Sequence, residues 1–182
     1  MQINNLVLIT GASQGIGRAI ATRVIQDGYR VINLDKKAPK SLLEGETYHS
    51  IDLMDPQAIE ELIPKITKQE PILRLVNNAG FIRPGALENT TLDDFEAVMA
   101  LNLRAPMLLA QQLLPHMRQA KFGRIVSIAS RAALGKEERT VYAASKAGLV
   151  GMTKTWALEM AKFGITVNAI GPGPIATELF TS

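Results

Sequence analysis

Tyr142 and Lys146 have the side-chain types and the spacing needed for proton transfer. They stand four residues apart in a segment with a helical pattern, so both side chains lie on one face of the helix. A lysine ammonium beside a phenol favours the phenolate, and such a tyrosine can exchange a proton with an alcohol or carbonyl oxygen. Many helices carry this spacing by accident, so the interpretation depends on the neighbouring motifs.

Ser130 is a second candidate for the same chemistry. It ends a predicted strand over residues 122–130, and ligands bind beyond the carboxyl ends of strands in a parallel sheet. Its hydroxyl is therefore predicted to hydrogen-bond the reacting oxygen. Ser127 is the competing hydroxyl of this strand, but its position before the strand end predicts a place in the core.

A glycine-rich turn predicts a binding site for a dinucleotide. Residues 8–18 read Leu-Ile-Thr-Gly-Ala-Ser-Gln-Gly-Ile-Gly-Arg, between a predicted strand and a predicted helix. Gly11, Gly15 and Gly17 let the backbone turn tightly and approach a pyrophosphate, whose charge the helix N-terminus meets. No Gly-Lys-Ser/Thr follows, which argues against a P-loop for nucleoside triphosphates. A purely structural turn is the alternative when this segment is taken alone.

Asp35 indicates which dinucleotide would bind. It ends the second predicted strand, eighteen residues after Gly17, where a carboxylate can accept hydrogen bonds from both ribose hydroxyls. A carboxylate there also repels a 2′-phosphate, so NAD is favoured over NADP. Lys36 and Lys37 follow directly and would soften this preference. An ordinary turn aspartate is the alternative interpretation.

Six short apolar segments alternate with longer helical patterns. Strands are predicted at 6–10, 30–35, 47–53, 72–77, 122–130 and 165–170, and helices at about 16–27, 56–68, 91–120 and 140–163. A proline follows Asp55 at one helix start, Thr91 and Asp94 resemble a capping box, and Pro106 and Pro115 should kink or subdivide the third helix. Nearly all-apolar strands that alternate with helices predict a doubly wound parallel α/β sheet, Rossmann-like, with helices on both faces.

The composition excludes several other classes of protein. A chain of 182 residues that is 47% hydrophobic and 20% charged predicts one globular domain over residues 1–182. The absence of cysteine excludes a disulfide framework and cysteine-based chemistry. The formal charge is only +3 and the basic residues are scattered, so no nucleic-acid partner is predicted. Without a leader or a membrane-length apolar segment, we expect a soluble cytoplasmic protein. His49 and His116 form no ligand cluster, and no metal site is predicted.

The motifs, in this order and over essentially the whole chain, resemble the short single-domain branch of the short-chain dehydrogenases/reductases. Asn77-Asn78-Ala79-Gly80 is similar to the family's Asn-Asn-Ala-Gly motif, Asp52-Leu53 to the pair that holds the adenine, and the segment 172–177 to the one that contacts the nicotinamide. The cofactor-binding residues that the resemblance implies are Gly11, Ser13, Gln14, Gly15, Ile16, Gly17, Asp35, Asp52, Leu53, Asn78, Ala79, Gly80, Tyr142, Lys146, Pro172, Gly173, Ile175 and Thr177.

The resemblance also implies a catalytic set and a reaction. Tyr142 matches the general acid/base, Ser130 the residue that polarises the substrate oxygen, and Lys146 the residue that assists the tyrosine and holds the nicotinamide ribose. Asn102 matches an asparagine that supports a proton-relay water. The implied reaction is hydride transfer between NAD and a small secondary alcohol or ketone. An NADPH-dependent 3-oxoacyl-type reductase is the alternative within this class, and a non-catalytic dinucleotide-binding or scaffold module is the alternative outside it.

Two features depart from the family pattern. The connection from Asp35 to Asp52 is short, so the helix between the second and third strands should be reduced or missing, as in the similar 2,3-dihydro-2,3-dihydroxybenzoate dehydrogenases. Family members continue past Thr177 through a substrate-covering lid and a seventh strand. We therefore expect this sequence to be a fragment without those parts, and the complete protein to be a homo-oligomer, a dimer or tetramer.

Two arginines close to these motifs have two interpretations, which differ in the substrate that they imply. Arg83 follows the Asn-Asn-Ala-Gly motif and Arg131 follows Ser130. We interpret both as solvated side chains; the alternative is that they lie at the rim of the pocket and bind an anionic substrate.

Overall fold

Six parallel strands form a single sheet in the computed structural model, which describes residues 3–175. The strands are β1 (Leu6–Thr10), β2 (Arg30–Asp35), β3 (Glu46–Ser50), β4 (Arg74–Asn77), β5 (Gly123–Ile128) and β6 (Ile165–Ile170). Their order in the sheet is β3-β2-β1-β4-β5-β6. The order reverses between β1 and β4, and in open parallel sheets a crevice forms at such a point, beyond the carboxyl ends of the strands.

Five α-helices connect the strands. They are α1 (Gly15–Gln26), α2 (Pro56–Thr67), α3 (Leu92–Met99), α4 (Ala105–Ala120) and α5 (Thr140–Met160). Short 3-10 turns lie at Leu87–Asn89, Arg131–Leu134 and Ala161–Phe163. The connection between β2 and β3 contains no helix over residues 36–45, as its short length predicted.

The helices cover both faces of the sheet. On one face α1 packs against a small cluster that includes Val7, Ile9 and Val31. On the other face α2, α4 and α5 bury the larger core, in which Ile63 and Leu109 are fully buried. The predicted doubly wound, Rossmann-like fold is confirmed.

The long helical segment predicted after residue 91 is divided next to Pro106, as predicted, but it is not divided at Pro115. Thr91 and Asp94 form a capping box at the start of α3, where each side chain accepts a hydrogen bond from the other residue's backbone N–H. A π-helical segment, Ala100–Arg104, then separates α3 from α4. Pro106 has no backbone N–H and cannot make the usual helical hydrogen bond to the Asn102 carbonyl, which accounts for the wider turn. Pro115 lies inside α4.

Three predicted strands were too long. β3 ends at Ser50 because the chain then turns, with the Asp52 carboxylate accepting a hydrogen bond from the Met54 N–H at 2.9 Å. Apolar residues beyond the strand ends, such as Ile51 and Ile72, are buried in the core outside the bounds of the strands. β5 ends at Ile128, so the prediction that Ser130 ends this strand was wrong by two residues.

Candidate active site

The carboxyl ends of the strands open into a cavity of about 740 Å³. It begins at the glycine-rich turn, where the sheet order reverses, and extends past β5 to the start of α5. The predicted site residues that line it are Gly11, Gln14, Gly15, Ile16, Asp35, Asp52, Leu53, Asn78, Ala79, Gly80, Ser130, Tyr142, Lys146, Pro172, Gly173 and Ile175. Ser13, Gly17 and Asn102 are not among the lining residues, and Thr177 lies outside the described residues.

The glycines of the turn have steric reasons to be glycine. Gly11 and Gly15 have φ angles of 67° and 56°, in the left-handed region that side chains disfavour. A Cβ at Gly17 would collide with the Gly11 carbonyl and the Asn78 side chain. The first turn of α1 can therefore pack directly against the loop, with its N-terminal N–H groups close to the cavity.

Asn78 and Thr10 tie β4 to β1 beside this loop. The Thr10 hydroxyl accepts hydrogen bonds from the Asn78 and Ala79 backbone N–H groups, both at 2.9 Å. The Asn78 amide donates to the Thr10 carbonyl at 2.9 Å and to the Gly11 carbonyl at 3.0 Å. The loop is therefore fixed to the segment after β4 by hydrogen bonds of the Thr10 and Asn78 side chains. These bonds lie beyond the residues that pair in β1 and β4.

A buried asparagine supports the loop from the side of β2. Asn33 is fully buried, and its carbonyl oxygen accepts from the Ala12 N–H at 3.1 Å. Its amide donates to the Ser13 hydroxyl at 3.1 Å and to the Glu46 carboxylate at 2.9 Å. Sequence reasoning missed this residue, although an asparagine inside an otherwise apolar strand was a signal that it has specific partners.

Glu46 carries the only buried carboxylate among the described residues, and its partners come from three parts of the chain. Its side chain is fully buried and accepts from the Arg18 guanidinium at 2.7 and 2.8 Å. It also accepts from the Leu43 N–H at 3.0 Å, and Arg18 reaches the Ser41 carbonyl. These bonds join α1, β3 and the helix-free connection before β3. Sequence reasoning missed this pair as well.

Asp35 and Asp52 lie at the same end of the cavity. The Asp35 carboxylate accepts from the Ser13 N–H at 3.1 Å and from the Lys37 N–H at 3.2 Å. Lys36 turns to Asp52 and donates to its carboxylate at 2.8 Å. This ammonium, together with the Met54 N–H, lowers the pKa of Asp52. The lysine that follows Asp35 is thus already paired with another carboxylate.

Lys146 is buried beside Tyr142 at the other end of the cavity. Only 4% of Lys146 is exposed, and its ammonium donates to the Ile128 carbonyl at 2.7 Å. The ammonium nitrogen lies 5.7 Å from the centre of the Tyr142 ring. Burial lowers the pKa of Lys146 from its ordinary value of 10.5 to about 8. A Cβ at Gly80 would stand 3.4 Å from this nitrogen, so a larger residue there would crowd it.

Ser130 precedes a short 3-10 turn and faces the same cavity. Its oxygen accepts a hydrogen bond from the Ala132 N–H at 3.1 Å. A hydroxyl that accepts this bond keeps its own proton to donate to a ligand. Ser127, the competing hydroxyl, is fully buried in the sheet, as predicted.

Asn102 lies in the π-helical segment and is fully buried. Its amide oxygen accepts from the Phe81 N–H at 3.1 Å, and its amide nitrogen donates to the Phe81 carbonyl at 3.0 Å. The same nitrogen donates to the Ser145 hydroxyl at 3.1 Å, and this hydroxyl donates to the Tyr142 carbonyl at 2.8 Å. Asn102 therefore connects the segment after β4 to the first turn of α5.

Two further properties of the described region concern metals and membranes. Within residues 3–175, no three His, Cys, Asp or Glu side chains are grouped so that they could hold a metal ion. In the same region no helix has the length and apolarity to cross a bilayer.

The fold and the cavity define a class of protein. A parallel sheet with a glycine-rich turn at its switch point is typical of dinucleotide-binding enzymes. The family model described as short chain dehydrogenase matches residues 5–182, and the chain belongs to that family. The protein is an NAD(P)-dependent oxidoreductase.

Individual relatives agree with this assignment. The 3-oxoacyl-(acyl-carrier-protein) reductase FabG of Thermotoga maritima is 38% identical over 183 residues, which cover 94% of this chain and 74% of the relative. The structure of ElxO with NADP bound matches with a TM-score of 0.91 at 31% identity, over 98% of this chain and 77% of ElxO. The structure of 4-hydroxyisoleucine dehydrogenase complexed with NADH matches with a TM-score of 0.90 at 34% identity, over 96% and 78%.

We predict that removing the Glu46 carboxylate destabilises the fold and weakens cofactor binding. Glu46→Ala leaves the Arg18 charge without its partner, at an expected cost of about 3 kcal/mol in the free energy of unfolding. Because Asn33 also loses a partner, the Ala12 and Ser13 contacts weaken, and the dissociation constant for NADH should rise. Chemical denaturation and fluorescence titration measure the two effects.

Glu44→Ala is the matched control, because Glu44 is an exposed acid two residues earlier in the same connection. It should leave both quantities near the wild-type values. Equal free energies of unfolding for the two variants would show that the buried pair contributes nothing.

We also predict that Lys146 makes the folded protein more stable as the pH rises from 7 to 10. Its pKa is about 8 when folded but 10.5 in an exposed lysine, so the unfolded chain holds more protons between these values. Compared with Lys146→Met, the wild type should gain roughly 2–3 kcal/mol of unfolding free energy over this range. Denaturation at both pH values measures the gain. The exposed Lys154→Met keeps Lys146 and should gain as much as the wild type. A gain in Lys146→Met as large as that of the wild type would contradict the lowered pKa.

Proposed function

We propose that the protein catalyses reversible hydride transfer between NAD(H) and a secondary alcohol or ketone. The observation that carries the proposal is the meeting of Ser130, Tyr142 and Lys146 in the cavity that begins at the glycine-rich turn. The reacting groups and the predicted nucleotide site thus open into the same space. When bound, the nicotinamide cofactor supplies or accepts the hydride, and the chain's own groups must bind, orient and move the proton.

Tyr142 is the proposed acid/base. In the reductive direction its hydroxyl gives a proton to the substrate oxygen as the carbonyl becomes an alcohol, and in the oxidative direction its phenolate removes that proton. Ser130 donates its hydroxyl proton to the same oxygen and so fixes the position of the substrate. This use of Ser130 is supported by the hydrogen bond from Ala132, which holds the oxygen while leaving the proton available.

Lys146 is the proposed source of positive charge for the tyrosine. Its nitrogen is held by the Ile128 carbonyl and lies beside the Tyr142 ring. With a pKa of about 8 it is mostly protonated at neutral pH, and it places this positive charge beside the ring of the proposed acid/base. We also propose that Lys146 binds the nicotinamide ribose, because the resemblance to the family implies this contact.

Asn102 completes the proposed set as the support for a proton-relay water. Its amide nitrogen donates to Phe81 and Ser145, and its amide oxygen accepts from Phe81 and keeps a second lone pair. These contacts suit a residue that fixes the backbone around the catalytic groups, and the Ser145 hydroxyl carries the link to the first turn of α5.

The adenosine end supports NAD as the cofactor. Asp35 ends β2 with its carboxylate held by the Ser13 and Lys37 N–H groups, where a 2′-phosphate would meet a negative charge. Lys36, which could have balanced that charge, is paired with Asp52. The proposed contacts of NAD are those of the cofactor residues named from the resemblance, Thr177 included.

A second candidate is an NADPH-dependent 3-oxoacyl-type reductase. The similarity to the Thermotoga maritima reductase favours this function, whereas Asp35 disfavours NADPH.

We propose a single catalytic domain over residues 1–182 and a homo-oligomeric complete protein. The exposed apolar side chains of Leu92 and Phe95 on α3 and of Leu158 on α5 support the second part, because they are suited to contact another copy.

Tyr142→Phe tests whether the site is catalytic. We expect kcat to fall by about 100-fold or more on any ketone that the wild type reduces, because the proton donor is lost. The dissociation constant for NADH should stay within about threefold, since one hydroxyl contributes little to binding. Steady-state kinetics and fluorescence titration measure the two quantities.

Tyr29→Phe is the control, because Tyr29 stands directly before β2, at the amino ends of the strands and away from the cavity. It should retain wild-type turnover. If Tyr142→Phe retained it too, or if the wild type bound NADH but turned over no alcohol or ketone, a non-catalytic module would be the better description.

Parallel titrations with NADH and NADPH test the cofactor. We expect the wild type to bind NADH about tenfold or more tightly than NADPH, and Asp35→Ser to reduce that ratio by removing the charge that repels the 2′-phosphate. Asp93→Ser, an exposed acid on α3, should leave the ratio unchanged. Tighter binding of NADPH by the wild type would favour the 3-oxoacyl-type reductase.

A further inference from the structure

The two ends of the cavity differ in charge. The carboxylates that line it, Asp35 and Asp52, both lie at the end formed by β2 and the segment after β3. Around Ser130 and Tyr142 the charged lining residues are all cations: Arg131, Lys136, Arg139 and the buried Lys146. A ligand that reaches the proposed reacting groups therefore enters a positive region with no lining carboxylate among the described residues.

These cations have no carboxylate partner within the described part of the chain. Lys36, Arg18 and Arg83 each form an ion pair, with Asp52, Glu46 and Asp94 respectively. No ion pair involves Arg131, Lys136 or Arg139 over residues 3–175. The Arg139 guanidinium donates to the Glu138 carbonyl at 2.9 Å, a neutral acceptor.

The backbone holds Arg131 at the centre of this region. Its N–H donates to the Pro172 carbonyl at 3.1 Å, and it begins the 3-10 turn directly after Ser130. A Cβ built at Gly173 would stand 3.7 Å from the Arg131 Cδ and 3.9 Å from one guanidinium nitrogen. The side chain therefore passes over the segment that we propose for the nicotinamide, next to the proposed substrate hydroxyl donor.

The turn that carries the other two cations is hydrogen-bonded to the segment that follows β4. The Gly85 N–H donates to the Glu138 carbonyl at 3.0 Å, and Gly85 forms a β-bridge with Arg139. Glu138 adopts a left-handed φ of 56° to make this turn, and its side chain does not line the cavity. The exposed loop is thus fixed so that it presents Lys136 and Arg139, and not Glu138, to the substrate end.

We propose that the substrate carries an anionic group, bound by the Arg131 guanidinium, close to the carbon that exchanges the hydride. This inference rests on the proposed function and specifies its substrate class as an oxo or hydroxy acid. A guanidinium binds a carboxylate through two parallel hydrogen bonds and so orients it as well as attracting it. Arg139 and Lys136 add attraction from the loop. Arg83 takes no part, because it pairs with Asp94 and lies outside the cavity lining.

The test compares short oxo acids with their methyl esters, using NADH and the full chain. We expect the wild type to prefer the acid by about tenfold or more in kcat/KM, the size of one charge-assisted interaction. Arg131→Gln should remove this preference mainly by raising KM for the acid, while turnover of the ester persists. Arg131→Lys should restore part of the preference. Lys68→Gln, an exposed lysine at the end of α2, should keep the wild-type ratio.

A third arm uses the coenzyme A thioester of the same oxo acid, whose negative charge comes from phosphates. Turnover of the thioester that is lost in Arg131→Gln would identify a phosphate as the bound anion. Equal turnover of acid and ester, unchanged in Arg131→Gln, would overturn the inference while leaving hydride transfer in place. Binding of NADH without turnover in any arm would contradict the proposed function and the substrate class together.

Discussion

The cavity depends on the joint between the carboxyl ends of β1 and β4. The strand order reverses at this point, so the segments that leave the two strands run to different parts of the fold, and side-chain hydrogen bonds connect them where they part. Thr10 and Asn78 provide those bonds, and the missing side chain at Gly17 lets α1 start against them. The end of the cavity that we propose for the nucleotide takes its position from this joint.

The local parts of the fold could be predicted from sequence, whereas the tertiary parts could not. β1, β2 and β6 have the predicted bounds because each is an apolar run that ends at a polar residue or glycine. β3 was predicted too long because burial continues beyond the sheet at Ile51, and residue patterns report burial more directly than strand pairing. Most predicted site residues line one cavity because they follow strand ends, and this position can be read from the chain alone.

The contacts of Glu46 are an example of what could not be predicted from the sequence. Arg18 and Glu46 are separated by 28 residues and come together only when α1 packs beside β3. Sequence spacing gives no indication of that contact. The residue types of a buried ion pair are the same as those of an exposed one, so the sequence does not distinguish them. In the folded chain the pair is hydrogen-bonded to the connection between β2 and β3, which contains no helix. It fixes this loop, which has no helix or strand of its own, to α1, the helix at the start of the proposed nucleotide site.

The burial of Lys146 has a consequence for the proton balance of ligand binding. Its ammonium is held by a carbonyl dipole and by no carboxylate among the described residues, so near pH 8 a substantial fraction of the free protein carries a neutral amine there. An anion that enters the cavity binds the protonated form more tightly and, by linkage, raises the proton affinity of the lysine. Binding then draws a proton from the buffer. The enthalpy of association consequently depends on the ionisation heat of that buffer. The number of protons taken up on binding thus indicates the charge of the group that lies beside the lysine.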